Sequence, residues 1–351
     1  MVNIRNFTYE DIVNEMTALN EKSFRASQIF AWLHNRNSYI DSYDEMTNIS
    51  KELRDILNSK YSLENVKIIK EYVSKIDGTR KYLIELIDNN VIESVIMNYK
   101  YGNSICISTQ VGCAMGCEFC ASTKSGLVRN LETYEMLGEV YAPLVNISNI
   151  VLMGSGEPLN NYDNVLKFIN IVNDEKGYNI GKRNITLSTC GIVPNILKLA
   201  RDTSGISLAL SLHSAIDEKR KKIMKIAQKY SIEETMLAIR EYFLKTKRRL
   251  SLEYSLIKGL NDSIEDSKEL CNICKKYLKD CEYYVNLIKV NSIKEVNFEK
   301  PSDDIVLKFR DYLNDHGIVA TIRRTLGEDI SGSCGQLRSS YLINNNSGAS
   351  A

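Results

Sequence analysis

From residue 146 to residue 327 the chain alternates short apolar segments with amphipathic ones, and that alternation limits its fold more than any other feature. NISNIVLMG, KRNITLSTC, SGISLALSLH, RRLSLEYSLI, YYVNLIKV and IVATIRRTLG read as strands. DNVLKFINIVND, VPNILKLARD, IEETMLAIREYFLKT, DSIEDSKELCNICKKYL and SDDIVLKFRDYLNDHG read as the helices between and after them. Strands apolar on both faces and separated by helices predict a parallel sheet covered by those helices. Right-handed crossovers curl such a sheet into a whole or partial barrel, whose working residues sit at the carboxyl ends of the strands. The expected class is α/β: a partial (β/α)6 TIM-like barrel.

Two regions precede the barrel. Residues 1–62 read as a small helical domain, with Ile29, Phe30 and Leu33 at helical spacing and Asn48 or Ser50 as a cap before Leu53. Residues 63–100 alternate like strands and carry turn signals at Asp77-Gly78 and Asp88-Asn89-Asn90, which predicts a short β extension. The barrel is expected over 101–340, and the polar tail over 341–351 is expected to be disordered. With 351 residues, 44% of them hydrophobic, the chain is long enough for a sizeable core. It has no apolar run long enough to span a bilayer and no secretory pattern at its start, so no membrane association and a cytoplasmic location are expected. Nine cysteines, an odd number without the spacing of a small secreted scaffold, agree with a reducing compartment.

Three of those cysteines, Cys113, Cys117 and Cys120, stand as C-x3-C-x2-C on one short stretch. Three thiolates can hold three irons of a 4Fe-4S cube and leave the fourth iron open to a small molecule. Gly112 and Gly116 suit the wrap because they tolerate backbone torsions that other residues avoid, and Phe119 could shield one face. The alternative for the triplet is a structural zinc site, which needs a fourth ligand such as Cys106. Cys271 and Cys274 fall on one face of a helix, and with Cys190 they read as core residues. The net charge of +1 does not announce a nucleic-acid binder. The local basic segments 219–229, 245–249 and Arg323-Arg324, with Lys22, Arg25, Arg36 and Lys51 at the N-terminus, could meet phosphates.

The stretch ICISTQVGCAMGCEFCAS, with MGSGEPLNNYDNV, LSTCG, LSLH and GEDISGSCGQL, resembles the RlmN/Cfr family of radical S-adenosylmethionine (SAM) RNA methyltransferases, and its RlmN-type branch in particular. The resemblance covers roughly residues 5–340. It implies that Cys113, Cys117 and Cys120 hold a 4Fe-4S cluster. It also implies that Gly156, Glu157, Ser188, Ser211, Leu212, His213 and Asn291 contact SAM, of which two molecules are used per turnover. Ser155 stands where the family usually has methionine, and Lys289 where it usually has proline. Cys334, on a Gly/Ser-rich loop, is implied to take a methyl group and pass its carbon to RNA. Cys106 is its implied thiol partner, and Glu93 the implied proton acceptor. Carbon 2 of adenine has no lone pair with which to attack SAM, whereas a thiolate attacks readily. The chemistry implied is therefore methylation of Cys334, hydrogen abstraction from it, addition to the base, removal of the ring proton by Cys106 or Glu93, and release through a transient disulfide. The implied partners are 23S rRNA at the peptidyl transferase centre, tRNA at the adenosine after the anticodon, and a flavodoxin or ferredoxin as electron donor, with the enzyme a monomer. Two other readings are carried: a Cfr-type methyltransferase acting on carbon 8, and a non-catalytic zinc-binding RNA module.

Overall fold

A computed structural model describes residues 1–336 apart from 37, 204, 292–295 and 334. Cys334 and the tail 341–351 therefore lie outside the described residues. The N-terminal region is helical as expected, with α1 over Tyr9–Ala18, α2 over Phe24–His34 and α3 over Lys51–Lys60. Of the two candidate caps for α3, Ser50 is the one used, its side chain accepting from the Leu53 amide. Thr8 and Asp11 form a capping box at the start of α1. Arg5, buried beneath this bundle, donates from Nη1 to the Leu33 carbonyl and from Nη2 to the Ile40 carbonyl, at 2.5 and 2.8 Å. One guanidinium thus stitches together the end of α2 and the loop after it.

An antiparallel meander follows. Strands β1 (Lys67–Val73), β2 (Arg80–Glu85), β3 (Val91–Tyr99) and β4 (Gly102–Cys106) pair in sequence order. Both expected turns are present, with Gly78 (φ 73°) and Asn89 (φ 61°) taking the left-handed backbone such turns need. A hairpin of β5 (Gln110–Gly112) and β6 (Leu127–Asn130) then brackets the cysteine stretch, followed by α4 (Thr133–Tyr141). The alternation proper runs β7 (Ile147–Leu152), α5 (Tyr162–Asn173), β8 (Ile185–Thr189), α6 (Val193–Asp202), β9 (Ser207–Ser211), α7 (Asp217–Ile223) and α8 (Ile232–Thr246). It continues through β10 (Leu250–Leu256), α9 (Ile264–Leu278), β11 (Tyr283–Lys289), α10 (Asp303–Asp315) and β12 (Ala320–Ile322).

Among the described residues the main sheet has ten strands in the order β1-β2-β3-β4-β7-β8-β9-β10-β11-β12, and every pair from β4 to β12 is parallel. β1 and β12 are its edges, so the barrel is partial, as the alternation predicts. Apolar strands explain its stability: all seven residues of β10 are buried. Cutting Leu252 back to alanine there would cost about 2–5 kcal/mol through lost burial and the cavity left behind. Cys271 and Cys274 are buried in the same core, as read. α4, the β5–β6 hairpin and α7 were not anticipated. Among the described residues, no helix is long and apolar enough to cross a membrane.

Candidate active site

The strand ends converge as the alternation requires. A cavity of about 160 Å³ opens at the carboxyl ends of the parallel strands. Cys113, Cys117 and Cys120 line one side of it, and Gly156, Glu157, Ser188, Ser211, His213 and Asn291 line the rest. Positions separated by up to 178 residues in sequence (113 to 291) thus meet in one chamber. Leu212 is different. Its side chain is fully buried in the main core and does not line the cavity.

The cysteine loop runs between β5 and β6. Gly116 has φ 63°, a left-handed backbone that favours glycine, and a side chain there would also displace the flexible Lys225 chain, whose Cδ would lie 2.7 Å away. Burial pushes the Cys113 thiol up to about 12 and raises Cys117 well above its ordinary value. Bare, these two thiols are held protonated, and binding of a soft metal centre is the process that would deprotonate them. Three thiols lining one chamber, with polar groups opposite, form a donor set that fits a cluster and a small polar ligand together. Phe119 lies edge-on to His213, with ring centroids 4.7 Å apart, and closes part of the lining.

Glu157 is buried, and burial raises its pKa. Its carboxylate accepts from the amides of Leu159 at 3.1 Å and Cys190 at 2.8 Å, so it ties the β7 turn to the end of β8. Each oxygen keeps lone-pair capacity toward the chamber. Gly154 and Gly156 let this turn pack close: a Cβ at Gly154 would lie 2.6 Å from the Ile107 carbonyl oxygen, and one at Gly156 would lie 2.6 Å from Gln110 Cβ. Ser155, the departure from the family pattern, is buried beneath the turn and receives a hydrogen bond at its amide oxygen from Thr109 N, so its side chain is not part of the cavity. Lys289, the other departure, ends β11 and pairs with Asp303 at 2.6 Å.

His213 has a positive φ of 54°, and its Nδ1 accepts from the Ser255 amide at 2.9 Å. The remaining proton therefore sits on Nε2. Burial, assisted by the charge of Arg220, pushes its pKa down to about 3. The unfolded chain takes up this proton near pH 6.5, whereas the folded chain does not until about pH 3. His213 therefore contributes stability that is fully present above pH 6.5 and is lost progressively as the pH falls toward 3. Asparagine tolerates the same backbone, and its Oδ1 can accept the same amide. Between pH 7 and pH 5, urea titrations of the parent will lose about 2 kcal/mol relative to His213→Asn. Parallel pH profiles for the two proteins would refute the assignment.

Cys106 lies in a second, smaller cavity of about 40 Å³ that shares Met153, Ile288, Asn291 and Arg323 with the first. Glu93 is buried, with its carboxylate 3.6 Å from the equally buried Lys81 ammonium. It is thus not the outward-facing strand position that a lone acid among apolar residues usually marks. Register explains the grouping: Val95 faces both Lys81 and Cys106 across its two neighbouring strands, so Glu93, two residues away, shares their side of the sheet. Ser108 Oγ bonds the Glu93 carbonyl at 3.0 Å and the Ser155 amide at 3.1 Å, linking that strand to the glycine turn.

The segment leading to position 334 is anchored on the meander. Asp329 accepts from Ser74 Oγ at 2.7 Å and from the Lys75 amide at 2.9 Å, and Lys81 Nζ reaches the Ser331 carbonyl at 3.3 Å. Ser333 lines the cavity of Cys106, whereas Gly335 lines the cavity of the three cysteines. The Gly335 carbonyl accepts from the Ala121 amide at 2.8 Å, beside the cysteine loop.

Several assignments from sequence change. Arg36, read as able to meet phosphate, is exposed, bonds the Tyr178 and Asn179 carbonyls and lies over the Tyr178 ring. Within 219–229, Lys219 pairs with Asp266 at 2.7 Å, Lys221 pairs with Glu218 at 2.8 Å, and Arg220 is buried. Arg323 lines both cavities, 3.9 Å from Glu253. Cys190 lines the main cavity and packs with Cys117, in addition to its structural role. Glu253 was missed altogether. It faces the cavity from β10 and bonds Asn286 at 2.9 Å. The available signal was an acid inside an otherwise buried parallel strand, where an unpaired charge is costly.

Comparison with known proteins agrees with this geometry. Residues 107–271 match the radical SAM superfamily, and residues 2–63 match the ribosomal RNA large subunit methyltransferase N-terminal domain. A Clostridium novyi protein named probable dual-specificity RNA methyltransferase RlmN is 50% identical over 349 residues, covering 98% of this chain and all of that one. A Clostridium perfringens protein of the same name is 51% identical over 346 residues, covering 97% of this chain and 98% of its own. The crystal structure of a radical SAM methyltransferase from Sphaerobacter thermophilus superposes with a TM-score of 0.88 at 37% identity, covering 96% of this chain and 99% of that one. The radical SAM family uses a 4Fe-4S cluster and SAM, which takes the place of the zinc alternative. Identity of this extent along essentially the whole chain, on a fold whose strand-end motifs share one chamber, shows that the protein belongs to the RlmN family of radical SAM methyltransferases.

Proposed function

We propose that this protein is a dual-specificity RNA methyltransferase that installs a methyl group on carbon 2 of an adenosine in 23S rRNA and of the adenosine after the anticodon in tRNA, with Cys334 carrying the carbon. The observation that supports it most is the position of the two residues beside Cys334. Ser333 borders the chamber of Cys106 and Gly335 borders that of the cysteine triplet, so the loop bridges both.

In this reading Cys113, Cys117 and Cys120 hold the cluster, and Gly156, Glu157, Ser188, Ser211, His213 and Asn291 bind SAM. Leu212 serves the site through its backbone, since its side chain is in the core. When bound, these groups supply a methyl group and a 5'-deoxyadenosyl radical. Cys334 takes the methyl on its sulfur and, after losing a hydrogen from that carbon, delivers the carbon to the base. Glu93 or Cys106 receives the ring proton. Lys81 orients Glu93 and holds the segment before Cys334 through the same ammonium. Loss of the ring proton leaves one electron to be given up, which the cluster would accept when bound. The Cys106 thiolate then attacks the Cys334 sulfur, and the bond from that sulfur to the RNA carbon breaks with its electron pair on the carbon. That carbon takes a proton to become the methyl group, and a disulfide forms.

Residues 1–62 form an RNA-binding accessory domain, 63–100 the β extension and 101–340 the catalytic barrel. The target base leaves its stack to enter the chamber. A small iron–sulfur or flavin protein supplies electrons, and the enzyme works as a cytoplasmic monomer. Anaerobic turnover with 23S rRNA and with tRNA, followed by nucleoside mass spectrometry, will yield 2-methyladenosine from both. A product consisting only of 8-methyladenosine would move the protein to the Cfr-type activity.

A further inference from the structure

Arg220 belongs to the basic run 219–229, yet it points inward and is fully buried. Nε donates to the Leu212 carbonyl at 3.0 Å, and Nη2 donates to the carbonyls of Cys190 at 2.8 Å and Ser211 at 3.3 Å. Its other terminal nitrogen, Nη1, is buried and meets no acceptor among the described residues. Nor does any carboxylate among them lie within ion-pair distance. A buried cation without an anion is costly, so its retention calls for a negative group that it faces in the working protein.

The packing identifies that group. Burial acts most on the guanidinium, followed by Cys190, Cys117 and Asp217; the two cysteines act only when deprotonated, as Cys117 is once metal-bound. The two cysteines share one apolar cluster with Ile223 and Met224, at the end of the helix that carries Arg220. The Glu118 amide donates to the Ile223 carbonyl at 2.9 Å, clamping the cysteine loop to that helix. Arg220 therefore sits in the floor beneath Cys117. A cluster held by three thiolates is anionic and gains one more negative charge on reduction. A fixed cation beside it favours the reduced form, because net charge and hydrogen bonding around the sulfurs set such potentials.

We propose that Arg220 is the buried counter-charge of the iron–sulfur cluster and raises its reduction potential. This rests on Cys117 being a cluster ligand. Arginine suits the role because it stays charged when buried and keeps three carbonyls in register while doing so.

The test is potentiometric titration of anaerobically reconstituted full-length protein, without RNA or SAM, read by the electron paramagnetic resonance signal of the reduced cluster. Arg220→Gln will shift the reduction equilibrium at least tenfold toward the oxidised form, a fall of 59 mV or more for a one-electron couple. Arg220→Lys keeps the charge and will stay within threefold of the parent. A merely structural arginine would change iron content without moving the midpoint in step with charge. The proposal is overturned if fully loaded Arg220→Gln keeps the parental midpoint. It is equally overturned if fully loaded Arg220→Lys falls tenfold, and this second variant decides the matter where glutamine prevents assembly. Absence of a cluster signal in the parent would remove the ligand assignment itself, and Arg220's role with it.

Discussion

Replacing Cys334 by alanine will reduce RNA methylation by at least about a thousandfold and leave the iron content per chain unchanged. The first half follows from the chemistry. In the proposed reaction the target is carbon 2 of adenine, which is not a nucleophile, so without a sulfur to accept the methyl group there is no carbon to transfer. Loss of a covalent nucleophile is among the largest single-residue effects in enzymes. The second half follows from the loop. Asp329 and Ser331 anchor the segment to the meander, and its contact with the cysteine loop runs through the Gly335 backbone, which a change at 334 does not remove. Iron analysis and the ultraviolet–visible spectrum of the anaerobic variant check one half, and single-turnover methylation with radiolabelled SAM checks the other. A variant that loses its iron would make Cys334 a ligand. One that methylates at the parental rate would remove it from the reaction.

Replacing Cys106 by alanine will stop turnover at a different point, with protein and RNA covalently joined. Cys106 is buried at the end of β4 in the chamber that Ser333 also lines, which places a thiol beside the Cys334 loop. If its task is to attack the Cys334 sulfur, its removal leaves the carbon bridge intact with nothing to break it. Denaturing electrophoresis after turnover should then show a slow band that nuclease collapses, and Cys106→Ala/Cys334→Ala should show none. Free methylated RNA released at the parental rate by the single variant would contradict the role. Glu93→Gln separates the proton step from the thiol step. The Lys81 contact persists in that variant as a hydrogen bond, while the proton acceptor is gone.

Much of this was legible in the residues themselves. The strand–helix alternation names a parallel barrel because strands apolar on both faces must be covered on both. The spacing of Cys113, Cys117 and Cys120 singles them out as candidate metal ligands, and the resemblance of the flanking residues favours an iron–sulfur cluster over zinc. Gly156, Glu157 and His213 follow strands, Ser188 and Ser211 lie at strand ends, and strand ends in such a barrel share one rim. Glu253 was not legible in the same way, because it lies in the middle of a strand. Arg220 is buried and Arg323 faces the cavities, whereas Arg36 stays exposed. A basic run on a helix or strand end looks solvent-facing, but direction depends on what packs against it.

The chain's own pattern therefore determined the class of fold and the order of its elements, and singled out the cysteine triplet proposed to hold the cluster, because these depend on local periodicity and on donor chemistry. Only the tertiary structure decided which charges turn inward. It set Lys81 against Glu93, Arg220 beneath Cys117, and Ser333 with Gly335 across two adjoining cavities. Those placements come from strand register and burial. No local pattern encodes them, since the free energy that orients a buried charge comes from neighbours that exist only once the chain has folded.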